Sequence, residues 1–412
     1  MILAKKKTKK AVAAATPAAA KPAKAQKQVG PAFAGFLANV QKKYPGVMET
    51  ANLLAQVIPR ISTGNLGLDI ATYGGLPRGR IIRFYGREKS AKTGSCLNTI
   101  ASWQKHCGTC YERGPCPHGK VSGVDRPKAQ ALWIDAEHRL DSMMHWVEGH
   151  GIDLDYLLIM EPPSGQHITD ITDAAIREHG ANIGLIIVDS IAHFTSQEEI
   201  DKATVKGRTG PVNALLVNRA LRKWVAAVNF LGVAEPKKPT IILINQLRST
   251  MDQYKPEAQP GGKAADYATS IDIRFSHGKV HYLVPQPGGG FEDKQVAFGT
   301  RWKPEGDGTP DYIEIHYRVT ASGICPNGRY GEFNYWLHEA HGRRKGDPDN
   351  MDRLWEYARK YLMVSKKDSA SGDYEICAAH ASTQAALKNA FYADDQVQLE
   401  SWAKIVSKLI EV

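Results

Sequence analysis

The chain has 412 residues, 23% of them charged, and a formal net charge of +10. That length can bury a full core in about two or three domains. No apolar run approaches the roughly 20 residues of a membrane span, and Met1-Ile2-Leu3-Ala4 is too short for the apolar stretch of a signal peptide.

The first 28 residues hold Lys5, Lys6, Lys7, Lys9, Lys10, Lys21, Lys24 and Lys27 among Ala and Pro, and carry +8 of the net charge. They lack Arg, Asp, Glu and Ser, which argues against a mitochondrial transit peptide. This composition cannot build a core, so residues 1–28 read as a disordered basic tail. Such a tail either contacts nucleic-acid phosphates by counterion release or simply keeps the chain soluble. Residues 29–60 follow as a helix and linker. Phe33, Phe36, Leu37, Val40 and Tyr44 share one helical face, and Pro45-Gly46 stops the helix. Its apolar stripe must cover this chain's core or a neighbouring subunit.

The core is expected over residues 61–338. Four apolar runs in it end in polar residues of a related kind. Ile81-Ile82-Arg83-Phe84-Tyr85 runs into Gly86-Arg87-Glu88-Lys89-Ser90-Ala91-Lys92-Thr93-Gly94, and Leu132-Trp133-Ile134 into Asp135-Ala136-Glu137. Leu185-Ile186-Ile187-Val188 runs into Asp189, and Ile241-Ile242-Leu243-Ile244 into Asn245-Gln246. Short β-branched runs bounded by turn formers read as buried parallel strands, whose ligands sit beyond their carboxyl ends. The fold class is therefore α/β, a mostly parallel sheet flanked by helices.

Gly86-x4-Ala91-Lys92-Thr93 matches a phosphate loop except that Ala91 replaces the second Gly. Backbone N–H groups of residues 86–94 would cradle phosphates, Lys92 would reach the β/γ-phosphates, and Thr93 would hold Mg²⁺. The bland alternative is an unrelated strand–turn–helix. Asp189 suits the Mg²⁺ shell, Glu137 can act as general base for water, and Gln246 can hydrogen-bond a γ-phosphate. Within the core, residues 107–128 form a Cys-rich insertion. Cys107, Cys110, Cys116 and His118 have a spacing that can close a tetrahedral Zn²⁺ site, with His106 as an alternative fourth ligand and a reduced, metal-free loop as the other reading. Residues 277–312, rich in Gly and Pro, read as a hairpin insertion. Residues 339–412 read as a small α-rich C-terminal domain, with Asp394-Asp395 capping a last helix.

These motifs together resemble the RecA family of recombinases. The resemblance rests on Ile61-Ser62-Thr63-Gly64, Gly74-Gly75-Leu76-Pro77-Arg78-Gly79, Ile134-Asp135-Ala136-Glu137, Ile187-Val188-Asp189-Ser190, Ile244-Asn245-Gln246-Leu247-Arg248 and Gly261-Gly262-Lys263-Ala264. It covers residues 33–275 well and the C-terminal domain weakly. It implies a DNA-dependent ATPase, using ATP and Mg²⁺, that forms helical filaments on single-stranded DNA and catalyses homologous pairing and strand exchange with duplex DNA. It implies a homo-oligomer with no membrane, in the cytoplasm of a bacterial or phage-infected cell, since the tail and insertions look like a phage or plasmid version. Two DNA loops are implied, residues 199–210 with Lys202, Lys206 and Arg208, and residues 247–262 with Arg248, Met251, Tyr254 and Lys255, closed by Lys263. Asp141 is implied on the adenine side, with Met144 where the family has an aromatic. The family's two lysines that reach a neighbouring subunit's ATP are absent from residues 313–319, leaving Arg318 or a cation elsewhere for that role. A hexameric helicase-like motor and a DNA-binding filament with weak or no hydrolysis are the alternatives.

Overall fold

A computed structural model describes residues 31–43, 58–113, 116–119, 127–201, 210–231, 237–249, 257–260, 264–299, 309–365 and 374–410. The chain divides into two compact units, Met1–Gln56 and Val57–Val412. In the first, the expected helix spans Pro31–Lys43, ending just before Tyr44 and Pro45. The basic tail lies outside the described residues.

The second unit is built on one large sheet. Its strands in chain order are β3 (Ile81–Gly86), β4 (Gln130–Asp135), β5 (Leu157–Met160), β6 (Ile183–Asp189), β7 (Thr240–Gln246), β10 (Ile271–Pro285), β11 (Phe291–Ala297), β12 (Tyr312–Ser322) and β13 (Tyr330–Trp336). Short pairs stand apart from it: β1 (Arg60–Ile61) with β2 (Leu76–Pro77), β8 (Arg248–Ser249) with β9 (Glu257–Ala258), and β14 (Tyr374–Ile376) with β15 (Ala379–Ala381). The sheet order is β13-β12-β10-β3-β7-β6-β4-β5, with β11 paired to β10. The run from β10 to β5 is parallel, and β11, β12 and β13 add antiparallel partners at one side.

Both faces of the parallel strands are buried, and successive residues feed opposite cores. Ile82, Phe84, Trp133, Leu185, Ile187, Ile242 and Ile244 pack with Leu97, Ile100 and Trp103 of the helix Lys92–Trp103. Ile81, Leu132, Ile134, Ile186, Val188, Ile241 and Leu243 pack on the other side. There Ile168 and Ile176 of the helix Gly165–His179, and Val217, Leu221 and Trp224 of the helix Gly210–Asn229, cover them.

The expected hairpin begins differently from its sequence boundary. Residue 277 lies inside β10, which pairs with β3 over its first residues and runs on unbroken into the hairpin with β11. A bulge between His277 and Val280 lies where β11 takes over from β3 as its partner on one edge, while β12 pairs with it on both sides of the bulge. Residues 339–412 form the helices Asn350–Tyr361, Gln384–Ala393 and Asp395–Ile410, and the small pair β14–β15 adds a sheet element to the α-rich expectation. Asp394 caps the last helix through Gln396 and Val397 N–H. The apolar cluster of this region takes in Leu66 from the helix Leu66–Ala71, and Trp402 Nε1 donates to Asp69 Oδ2 at 3.2 Å. The C-terminal segment is thus packed onto the core within one unit.

Arg83 is the charge buried at the centre of the sheet, 3% exposed. It pairs with Asp272 on the neighbouring strand and donates to Asp266 at 2.7 Å. Removing one partner of such a pair leaves the other uncompensated. Asp272→Ala is expected to cost about 3–5 kcal/mol in urea unfolding. A loss below about 1 kcal/mol would mean that Asp266 alone satisfies the guanidinium.

Candidate functional site

The parallel register sets four strand ends in a row. Gly86 is level with Gln246, and Asp135 is level with Asp189. Beyond these ends lies a cavity of about 370 Å³ whose lining includes Lys92, Thr93, Glu137, Asp189 and Gln246. These five residues, expected from the sequence to serve phosphate and Mg²⁺ chemistry, therefore meet in one place, whereas Gly86 and Arg87 are not among the residues that line it.

The loop from Gly86 to Lys92 turns tightly. Lys89 has φ 59° and Ala91 has φ 56°, both in the left-handed region. Gly86 cannot carry a side chain, because a Cβ there would lie 2.2 Å from the Phe275 carbonyl oxygen. Lys92 begins the helix, and its Nζ donates back to Gly86 O at 3.1 Å and Arg87 O at 2.6 Å. Burial pulls the Lys92 ammonium below its ordinary range, and the charges of Asp189 and Glu137 resist it. Arg87 instead pairs outward with Glu257 at 2.6 Å, at the foot of the β8–β9 ribbon.

Thr93 Oγ1 donates to Asp189 Oδ2 at 3.2 Å. Burial, and then the nearby Glu137 charge, push the Asp189 carboxyl up to about 7, against the pull of the Thr93 hydrogen bond. A hydroxyl and a crowded carboxylate are hard oxygen donors, so this pair fits Mg²⁺ by the chemistry of its donors. The Asp189–Ser190 peptide is cis.

Glu137 is the most heavily engaged side chain of the site. Ser190 Oγ donates to its Oε1 at 2.8 Å and Gln246 Nε2 donates to the same oxygen at 2.7 Å. His193 Nδ1 lies 3.0 Å from Oε1 and Arg139 3.3 Å from Oε2. Burial alone would raise this carboxyl, but the hydrogen bonds from His193 and Ser190 outweigh it and hold it at about 2. Asp135 fixes the approach to Glu137 by accepting the N–H groups of Glu137, Arg139 and Leu140.

The far wall of the cavity is apolar and aromatic, with Met143, Trp146, Tyr335 and Leu337. Trp146 and Tyr335 stack at 6.0 Å with planes 10° apart, and Lys345 Nζ lies 4.0 Å over Trp146. Asp141, expected on the adenine side, is exposed at the start of a 3₁₀ turn and is not among the residues that line the cavity. Nothing in the linear pattern marks Trp146 or Tyr335, which stand 189 positions apart.

The other expected residues lie elsewhere. Arg318 is exposed on β12, away from the cavity, in a cleft with Arg274, Tyr330 and Arg353. Arg248 is exposed in β8. Lys202, Lys206, Arg208, Met251, Tyr254, Lys255 and Lys263 lie outside the described residues. The ligand atoms of Cys107, Cys110, Cys116 and His118 all lie within 4.8 Å of one another, as a tetrahedral metal requires. Burial would raise the Cys107 thiol, but the amides of Cys110 and Thr109 and the neighbouring thiols draw it down to about 7. His106 is not part of that group: its Nδ1 faces the Ser102 and Trp103 carbonyls and its ring packs on Trp103 at 4.9 Å.

An Ala in the left-handed region costs about 1 kcal/mol relative to Gly. Ala91→Gly is therefore expected to raise the unfolding free energy in urea by about 1 kcal/mol, seen as a higher midpoint with an unchanged slope. A lowered midpoint would show that the loop does not depend on that conformation.

Residues 32–112 and 119–281 match the RecA N-terminal domain family. Among curated proteins, the chain is 37% identical to Protein RecA of Helicobacter pylori (strain Shi470) over 223 residues, 53% of this chain and 55% of that one. It is 35% identical to Protein RecA of Acinetobacter baumannii (strain AYE) over 250 residues, 59% of this chain and 62% of that one. The chain thus spans a little over half the length of the curated relatives it matches. With its family match covering more than half of its residues and running through every strand end of the cavity, the chain belongs to the RecA family.

Proposed function

We propose that this protein is a DNA-dependent ATPase that assembles with copies of itself into helical filaments on single-stranded DNA. In that state it pairs homologous duplex DNA and exchanges strands, in the cytoplasm of a bacterial or phage-infected cell. The observation that carries the reading is the convergence of Lys92, Thr93, Glu137, Asp189 and Gln246 on one cavity beyond the parallel strand ends. Mg²⁺-ATP would supply the transferable γ-phosphoryl group and the bridging cation.

In this reading the loop N–H groups from Gly86 to Gly94, with Arg87, Glu88, Lys89, Ser90 and Ala91 between, enclose the phosphates. Lys92 exchanges its bonds to the Gly86 and Arg87 carbonyls for phosphate oxygens. Thr93 and Asp189 hold the cation. Trp146 and Tyr335 offer the base an apolar wall. Glu137 takes the proton of the attacking water. Held at about 2 by the hydrogen bonds from His193 and Ser190, it is too weak a base for that task near neutral pH, and Gln246 also donates to it. A γ-phosphate that recruits the Gln246 amide would remove one donor and strengthen the base. Gln246 also begins the chain's path into the second DNA loop, so the same movement reports the nucleotide state to Arg248, Met251, Tyr254 and Lys255. Lys202, Lys206, Arg208 and Lys263 would meet phosphates beside them. Arg318, exposed on β12 in a cleft with Arg274 and Arg353, or a cation elsewhere, would serve a neighbouring subunit's nucleotide.

Cys107, Cys110, Cys116 and His118 would hold a structural Zn²⁺. The insertion joins the helix Lys92–Trp103 to the start of β4, the end of that strand remote from Glu137. The metal would pin the loop and take no part in hydrolysis.

Two outcomes test this function. Glu137→Gln is expected to keep ATP binding and lose about 10²–10⁴-fold in hydrolysis, measured with and without single-stranded DNA. Wild-type turnover in that variant removes Glu137 as the base. Cys110→Ser is expected to abolish the sulfur-to-metal charge-transfer absorption of the Co²⁺-loaded protein and to leave ATPase in the folded fraction. Co²⁺ spectra without thiolate bands in the unaltered chain would end the zinc assignment.

A further inference from the structure

A second cavity, of about 600 Å³, lies between the helix Lys92–Trp103, the Cys-rich loop and the C-terminal helices, and it shares no lining residue with the nucleotide cavity. Its size falls within the roughly 300–1,000 Å³ of small-molecule sites. Four cations line it, Lys105, Arg113, Arg344 and Lys345, against two carboxylates, Asp347 and Asp395. The cations arrive from three segments remote in sequence. Lys105 follows the helix, Arg113 belongs to the Cys-rich loop, and Arg344 and Lys345 precede the helix Asn350–Tyr361.

Nearby carboxylates offset this charge only in part. Asp69, the buried acid whose charge reaches Arg113, is taken by Ser62 Oγ at 2.6 Å, Thr63 N–H at 2.7 Å and Trp402 Nε1 at 3.2 Å. Asp347 accepts the Asp349 N–H at 2.8 Å, and Asp395 is exposed at the start of the last helix. Partial burial, and then the charges of Arg113 and Arg344, pull the Lys105 ammonium below its ordinary range, with Asp395 opposing. Like charges gathered in this way repel unless an anion lies among them.

The backbone is shaped to bring the cations in. Gly151 has φ 72°, and a Cβ there would lie 2.8 Å from Arg344 Nη1. A Cβ at Gly149 would lie 3.1 Å from Lys345 Cβ. Glycine at both positions lets residues 344 and 345 lie against the turn that follows the helix Met144–Gly149. Asn98 Nδ2 ties the same segment down by donating to Gly346 O at 3.0 Å. One helical turn beyond Asn98, Ser102 lines the cavity and is 3% exposed, and its hydroxyl has no hydrogen-bond partner among the described residues. A buried hydroxyl without a partner carries a desolvation penalty that a ligand oxygen removes. Tyr392, Leu399 and Trp402 add apolar surface to the lining.

The geometry points to a binding site for a small organic phosphate, with its anionic group among Lys105, Arg113, Arg344 and the Ser102 hydroxyl and its carbon body against Tyr392, Leu399 and Trp402. Two guanidinium groups and an ammonium suit phosphate oxygens, which accept several charge-assisted hydrogen bonds at once. The Cys-rich loop thereby contributes a ligand-binding cation through Arg113.

Phenyl phosphate is the probe, titrated calorimetrically into the full chain alone and again with Mg²⁺ and a non-hydrolysable ATP analogue. One equivalent is expected to bind under both conditions, more tightly than inorganic phosphate, with no binding of phenol. Arg113→Ala and Arg344→Ala are each expected to weaken it about 10–100-fold, through loss of a charge-assisted hydrogen bond. Ser102→Ala is expected to weaken it while the thermal midpoint of the ligand-free chain stays level or rises, because an unsatisfied buried hydroxyl is removed. That variant decides the matter if an arginine replacement fails to fold. No saturable binding, or equal affinity in the unaltered chain and all three variants, overturns the proposal. Binding lost when the ATP analogue is present does so too, since the probe would then sit in the nucleotide cavity. Displacement of phenyl phosphate by DNA, with weaker DNA binding in Arg113→Ala and Arg344→Ala, likewise overturns it and gives these cations to a nucleic-acid backbone.

Discussion

Parallel register is the constraint on which the rest of this molecule depends. Because β3, β7, β6 and β4 are adjacent and run the same way, Gly86, Gln246, Asp189 and Asp135 end at one edge. Nothing in the chain order requires that β7 lie between β3 and β6. Once it does, an amide at its end reaches a carboxylate that follows β4, and the Gln246–Glu137 hydrogen bond spans the front of β6. The two apolar cores above and below the sheet hold the strands in that order. The chemistry at the edge inherits its geometry from packing far behind it.

The electrostatics of that edge are divided sharply. Asp189 and Glu137 are neighbours, yet one carboxyl is pushed up to about 7 and the other held at about 2. Burial raises both in isolation. What separates them is deeper burial and the nearby Glu137 charge at Asp189, against the His193 and Ser190 hydrogen bonds at Glu137. Crowded negative charge at Asp189 favours a cation there, whereas Glu137 is already satisfied by the protein. The division assigns the two carboxylates different work within one cavity.

The parts legible in the sequence are those with local causes. Leu185–Val188 before Asp189 and Ile241–Ile244 before Asn245 are short apolar runs that only a buried strand explains, and their polar ends follow directly. Gly86 and Lys92 are legible because a phosphate loop is contiguous. The aromatic wall was not legible, since Trp146, on the short helix Met144–Gly149, and Tyr335, on β13, meet only in the folded chain. His106 looked as good a ligand as His118 by spacing, but the Ser102 and Trp103 carbonyls had already claimed its ring. The hairpin boundary at residue 277 was read from Gly and Pro, whereas β10 is one strand that changes partners at a bulge.

The Cys-rich loop is closed at its root by backbone alone. Cys107 bridges Lys128, Gly108 N–H donates to Pro127 O at 2.7 Å, and Ala129 N–H donates to His106 O at 3.0 Å. With the root stapled, Tyr111 anchors the near side by packing on Trp103 at 5.0 Å and donating to Ala181 O at 2.6 Å, so it is the length of chain between residues 114 and 126 that is decoupled from the position of β4. The fold therefore contains a port: sequence can be added or removed there without shifting Glu137, because the strain of a longer loop ends at the staple. A reporter domain or an affinity peptide grafted at that point would ride on the protein and leave its nucleotide edge undisturbed.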